Sequence, residues 1–223
     1  MNRTAQLRLL ALLAVAIGLV AGSVVTQRAD DSGIEIRGRL GPTAGPNSLG
    51  HVRSQHAYLE RAARAAPGRP AAGLVSMSRF VDAGEATSLV EGMDATAVFV
   101  QFPDNAPEVF LLTKSISETI ATRAKELGDA VRAEIVSLEA QLRDTQGPQR
   151  ELLEGSLSKR REALNVLAPD CACVYAIGVE GTTLGALARL QGHSDVLLVD
   201  VPQPAVPDLK GWELNPILPS RDS

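Results

Sequence analysis

From Ile116 to Leu167 apolar residues recur every three or four positions, and the run is interrupted once, at Gly147-Pro148. Ile116, Ile120, Leu127, Val131, Ile135, Leu138 and Leu142 share one helical face, with Ala124 filling the gap after Ile120. Proline lacks the N–H that a helix interior needs and disfavours helix at the residue before it, so this pair divides the stretch. Leu153, Leu157, Leu164 and Leu167 then continue the stripe to Ala168-Pro169. The pattern predicts two antiparallel helices, 116–145 and 148–167, joined as a hairpin. Eight basic and nine acidic residues between 116 and 167 give that hairpin a balanced, solvated exterior.

The segments on either side alternate between strand and helix signals. Leu74–Val81, Ala95–Phe102 and Glu108–Lys114 read as strands, the last two as a hairpin turned at Asp104–Pro107. Asp82, with Glu85 three residues on, has capping-box spacing for a short helix to Glu91, closed by Gly92. Beyond the long helices, Cys171–Glu180 reads as a strand. Thr182 or Thr183 caps a helix to Gln191, ended by Gly192, and Asp195–Val201 is a strand stopped by Pro202. Cap, glycine stop and proline stop thus repeat in the same order in both halves. The expected fold class is α+β: a ferredoxin-like sheet built from two β-α-β units, with the long helical hairpin inserted between them. His51–Ala65 adds a short helix, so the folded domain is expected over 51–202. Residues 28–50, rich in Gly, Pro, Asn and Ser, read as a flexible linker, and 203–223, with four prolines, as an irregular tail pinned by Trp212, Leu214, Ile217 and Leu218.

Leu9 to Gln27 contains no charged residue, and Arg3 and Arg8 precede it. At about 1.5 Å per residue a helix over 9–27 reaches roughly 28 Å, close to the hydrocarbon thickness of a bilayer. The expectation is a transmembrane signal-anchor helix over 9–27. Residues 1–8 would be cytoplasmic and the remainder extracytoplasmic, a single-pass protein of the cell membrane. A cleaved signal peptide is the competing reading of the same residues.

Composition narrows the function. A hydrophobic fraction of 45% fits a packed domain, while aromatics at 3% leave few platforms for stacking bases. With a net charge of -4 the chain has no basic footprint, so no nucleic-acid partner is expected. No HExxH, GxSxG, Walker A or dinucleotide fingerprint occurs.

The candidate chemistry is a possible thiol pair, Cys171 and Cys173. Side chains at i and i+2 of a regular strand point the same way with Cβ atoms about 7 Å apart, while a disulfide needs about 3.8 Å. A bridge therefore requires Cys171 to sit in a turn after Pro169-Asp170. Otherwise the thiols pack as small apolar groups on a face with Tyr175, Ile177 and Val179, or serve redox or metal chemistry. Only Asp170 lies nearby as a further metal ligand, and no cofactor is expected. His51 and His56, five apart, diverge by about 140° on a helix. His193 follows a helix-ending glycine. Ser76, Ser78, Arg79 and Asp82 cluster at a strand-to-helix junction that can hold an anion, as can Gly181-Thr182-Thr183.

Both faces of the strands are apolar: Val98, Val100 and Phe102 oppose Ala97 and Phe99, and Val196 and Leu198 oppose Leu197, Val199 and Val201. One face must then pack on the long helices or on another chain. The functional expectation is a membrane-tethered, extracytoplasmic protein-interaction or structural module of a bacterial cell envelope, non-enzymatic, engaging a protein partner or itself. The alternative is a thiol-dependent redox or metal-handling protein using Cys171 and Cys173.

Overall fold

Two long apolar strands, β2 (Pro70–Val81) and β5 (Val174–Thr183), pair antiparallel at the centre of the sheet. β5 also pairs with β3 (Asp94–Val100), β3 with β4 (Glu108–Leu111), and β2 with β6 (Val196–Asp200). The result is a five-stranded antiparallel sheet in the order β4-β3-β5-β2-β6. The computed structural model describes residues 37–42, 48–103, 105–167 and 170–219, which belong to one unit, Ile36–Ser223.

Helices cover one face. These are α1 (Ser48–Ala65), α2 (Ala83–Leu89), α3 (Ile116–Asp144), α4 (Pro148–Val166) and α5 (Leu184–Gln191). Their starts are set locally. Asp82 and Glu85 form a complete capping box for α2, Ser115 and Glu118 do the same for α3, and the Thr183 hydroxyl accepts from the Ala186 amide at the start of α5. Beneath them lies the larger core, with Leu59, Val75, Met77, Val98, Val100, Phe102, Ile177, Leu187 and Val199 buried together.

α3 joins this core only through its first half, burying Ile116, Ile120, Ala124 and Gly128. Beyond Gly128 it packs chiefly on α4, whose Leu157 is buried in the seam. Glu134–Arg160 and Glu139–Arg161, both at 2.7 Å, tie the two helices from outside, where exposed ion pairs contribute about 0–1 kcal/mol each.

The opposite face carries a second, smaller layer where a linker and an irregular tail were expected. β1 (Gly38–Leu40) and β7 (Trp212–Leu214) pair in parallel over Leu40, Ala72, Leu74, Ala97, Phe99, Tyr175 and Leu209. Two glycines make the approach possible. A Cβ on Gly38 would meet the Trp212 ring at 2.7 Å, and one on Gly41, whose φ is +100°, would strike the Asn215 carbonyl oxygen. α1 likewise begins at Ser48, inside the expected linker.

The expected fold class is corrected where it begins with a membrane-spanning helix, since no described helix is long and apolar enough to be one. The described chain is α+β, with antiparallel pairing in the main sheet and a parallel pair in the small one. Its two strand-helix-strand segments interleave, β5 lying between β2 and β3 and β2 between β5 and β6. No helix among the described residues is long and apolar enough to cross a membrane, because the long ones carry charge along their solvent faces. The single-pass, signal-anchored cell-membrane localisation is corrected on that finding. Residues 9–27, on which it was placed, lie outside the described residues.

The hairpin's division into a core-forming base and an outer arm has a measurable consequence. Ile120 is 1% exposed and Leu152 is 74% exposed. Ile120→Ala should lower unfolding free energy by about 2–5 kcal/mol. Leu152→Ala should stay within about 0.5 kcal/mol of the parent. Denaturant titration measures both, and equal losses at the two sites would contradict the division.

Candidate interaction edge

Regular strand begins at Val174, so both cysteines lie before it, in the turn that follows Asp170. That placement brings their Cα atoms to 5.3 Å, and Cys171 and Cys173 are disulfide-bonded. Cys173 is buried: its amide donates to the Val81 carbonyl at 3.1 Å and its carbonyl accepts from the Gln101 amide at 2.8 Å. Cys171 is only half-buried. The face expected for the pair is also divided. Tyr175 joins the small-layer core while Ile177 and Val179 join the helical one, because β5 shifts register between its Val174 and Ala176 pairings with β3. Among the described residues no group of His, Cys, Asp or Glu is arranged to hold a metal ion.

The polar residues of the strand-to-helix junction are engaged in the scaffold. Arg79 donates to Glu85 at 3.1 Å and to Asp195 at 2.9 Å, bonds that raise its pKa further above its ordinary range. The Ser78 hydroxyl donates to the Ser194 carbonyl, the Ser76 hydroxyl accepts from the Ile217 amide, and Asp82 caps α2. Gly181 turns at φ +60°, and Thr183 is the α5 cap. An open cleft of about 830 Å³ lies between α2 and α5, with Glu85, Glu91, Arg189 and His193 in its wall. The His193 Nδ1 in that wall accepts from the Asp195 amide.

Sequence reasoning missed Asp200, whose signal was a lone carboxylate between Val199 and Val201. It is 1% exposed. Its Oδ2 receives His51 Nε2 from α1 at 2.5 Å and the Gly41 amide at 2.6 Å, so one carboxylate joins β6, α1 and the end of β1. Its Oδ1 is buried with no hydrogen-bond partner among the described residues. Desolvation raises the Asp200 pKa, and the bonds from His51 and Gly41 pull it back down without cancelling the rise.

The two edges of the main sheet differ. At β6 side chains meet the outward Leu197 carbonyl and Val199 amide. Gln191 Oε1 accepts from the Val199 amide at 2.6 Å, and Gln191 Nε2 donates to the Leu197 carbonyl at 3.4 Å. His56 Nε2 also approaches the Leu197 carbonyl at 3.4 Å. One carboxamide thus stands in for a neighbouring strand. At β4 the Leu112 amide donates to the Thr96 carbonyl at 2.9 Å. By the alternation of an antiparallel ladder, Phe110 and Glu108 also turn their backbone groups toward β3. Val109 and Leu111 therefore turn theirs to the free edge, where no hydrogen bond among the described residues meets them. Their side chains are 49% and 72% exposed, on the face that also holds Phe99 and Tyr175. Tyr175 is flanked edge-on by Phe80 and Phe99, each ring centroid at 6.1 Å, and burial pushes its hydroxyl pKa up to about 12.

Compared with family models, curated proteins and solved structures, the chain matches none.

Two tests follow from these residues. A buried carboxyl whose folded pKa is raised favours the native state below its unfolded pKa, near 3.8, and loses that contribution as pH rises through the folded value. Acidification from neutrality toward pH 3.8 should therefore shift stability in favour of the parent relative to Asp200→Asn, and a pH-independent difference would remove the desolvation argument. For the cysteines, maleimide should label nothing in the unreduced native protein. After mild reduction Cys171 should react before Cys173, read by peptide mass.

Proposed function

We propose that this chain is a non-enzymatic protein-interaction module whose working surface is the β4 edge. The observation that carries the reading is the asymmetry of the sheet: Gln191 and His56 cover outward groups of β6, while among the described residues nothing meets the outward backbone of Val109 and Leu111, whose side chains are exposed. Edge strands in folded proteins are ordinarily blunted by charge, proline or cover, since unpaired N–H and C=O groups invite another strand. β4 has Pro107 before it and Lys114 after it, but its outward positions are Val and Leu. Strand addition would supply affinity through the main chain and specificity through alternate apolar side chains. The outer half of α3 and α4 offers a second, charged surface beside it.

A thiol-exchange role for Cys171 and Cys173 is the second reading, favoured by the bridge between them with one half-buried sulfur. The two readings part under substitution. Replacing both cysteines by Ser should leave binding at β4 intact if the first holds, and should abolish function if the second does.

The direct test of the first reading places a photo-crosslinking side chain at Val109 and, as control, at Leu197 on the sealed edge of the full chain in cells. Polypeptide adducts are expected from position 109 and not from 197, and Leu111→Lys combined with the probe should remove them. Absence of adducts at 109, or equal yields at the two edges, would refute the assignment.

A further inference from the structure

Resting on that reading, we infer that the occupant of the β4 edge is β4 of a second copy of this chain. The register is self-complementary. Val109 and Leu111 are the positions whose backbone N–H and C=O face outward. A two-fold axis through Phe110 sets Val109 of one copy opposite Leu111 of the other, each exchanging both backbone bonds with its counterpart. The same operation places the exposed Val109 side chain against the exposed Leu111 of the other copy, on one face, as a cross-strand apolar pair made twice. It carries no charge conflict into the seam. Glu108 is held by Arg123 of α3 at 2.8 and 2.9 Å, and its backbone faces β3.

The sealed edge decides what kind of assembly follows. Were β6 also open, β4 of one copy could pair with β6 of the next and the sheet would extend without end. Gln191 and His56 occupy the β6 edge, so addition of copies closes after one step. The product is a two-fold dimer with a continuous antiparallel sheet across the seam. A foreign extended segment would need to bring its own alternating apolar residues, whereas a second copy already carries them in register.

The experiment uses the full chain with single substitutions Val109→Cys and Leu111→Cys, both at exposed sites, after circular dichroism has shown parent-like thermal melts. The native cysteines are bonded to each other and silent under mild oxidation. A mixture of the two variants should give a covalent dimer, and either variant alone should lose that band, because only Val109 and Leu111 of opposite copies face each other. By light scattering the parent should have twice the 23.5 kDa chain mass, and Leu111→Lys should revert to the monomer. A monomeric parent with no bond in the mixture would overturn the inference. If the Val109 photoprobe still captured a different polypeptide in that case, the interaction reading would stand with another occupant. If it captured none, both would fall.

Discussion

The antiparallel pairing of β2 with β5 is the constraint on which the remaining architecture depends. Both strands are buried on both faces: Val75, Met77, Ile177 and Val179 lie under the helices, while Ala72, Leu74, Tyr175 and Ala176 lie under the small layer. Burial of a Val, Leu, Ile or Met side chain contributes about 1.5–3 kcal/mol, so neither face can be left to water. The helices satisfy one face. The other is covered by the two ends of the described unit, and this is why segments with linker-like and tail-like composition are ordered at all. Arg37 donates to the Gly211 carbonyl, Asn215 to the Leu40 carbonyl, and Leu209 to the Glu180 carboxylate, stitching both ends to each other and to β5.

What could be read in the sequence follows from how local its cause is. The start of α2 and of α3 is written in four residues each, Asp82 to Glu85 and Ser115 to Glu118, and the junction of α3 with α4 in the pair Gly147-Pro148. Those signals act within a turn of the chain. β1 and β7 give no such signal, being three residues long and paired between Gly38 and Trp212 across nearly the whole unit. The face of Tyr175 was hidden by a register shift in β5, which breaks the strict alternation that a period-two reading assumes. Placing the protein in a membrane rested on the length and uncharged composition of residues 9–27 and on Arg3 and Arg8 before them, and the described helices supply no membrane-crossing segment.

The candidate site was less legible than the fold for a related reason. Polar residues that looked available for chemistry, Ser76, Arg79, Asp82 and Thr183, hold strands and helix starts in place. Asp200, which falls inside the expected strand Asp195–Val201, is a buried junction for His51 and Gly41, more than a hundred residues away in sequence. A carboxylate with one oxygen doubly bonded to hydrogen donors and the other unpartnered is costly to bury. Its presence means that the geometry of α1 against β6 is specified by a polar contact and not by apolar packing alone.

That contact bears on the sheet edges. α1, whose His51 binds Asp200, also carries His56 to the Leu197 carbonyl, and α5 ends on Gln191, whose amide reaches both Leu197 and Val199. The helix held by Asp200 is thus one of the two elements that close the β6 edge. At β4 the adjoining helix does the reverse. Arg123 of α3 binds Glu108 on the inward side, neutralising the one charge in the strand and leaving Val109 and Leu111 outward without a charged neighbour in β4. Closure at one edge and neutralisation at the other act in the same direction, since each makes β4 the edge at which a strand can be added.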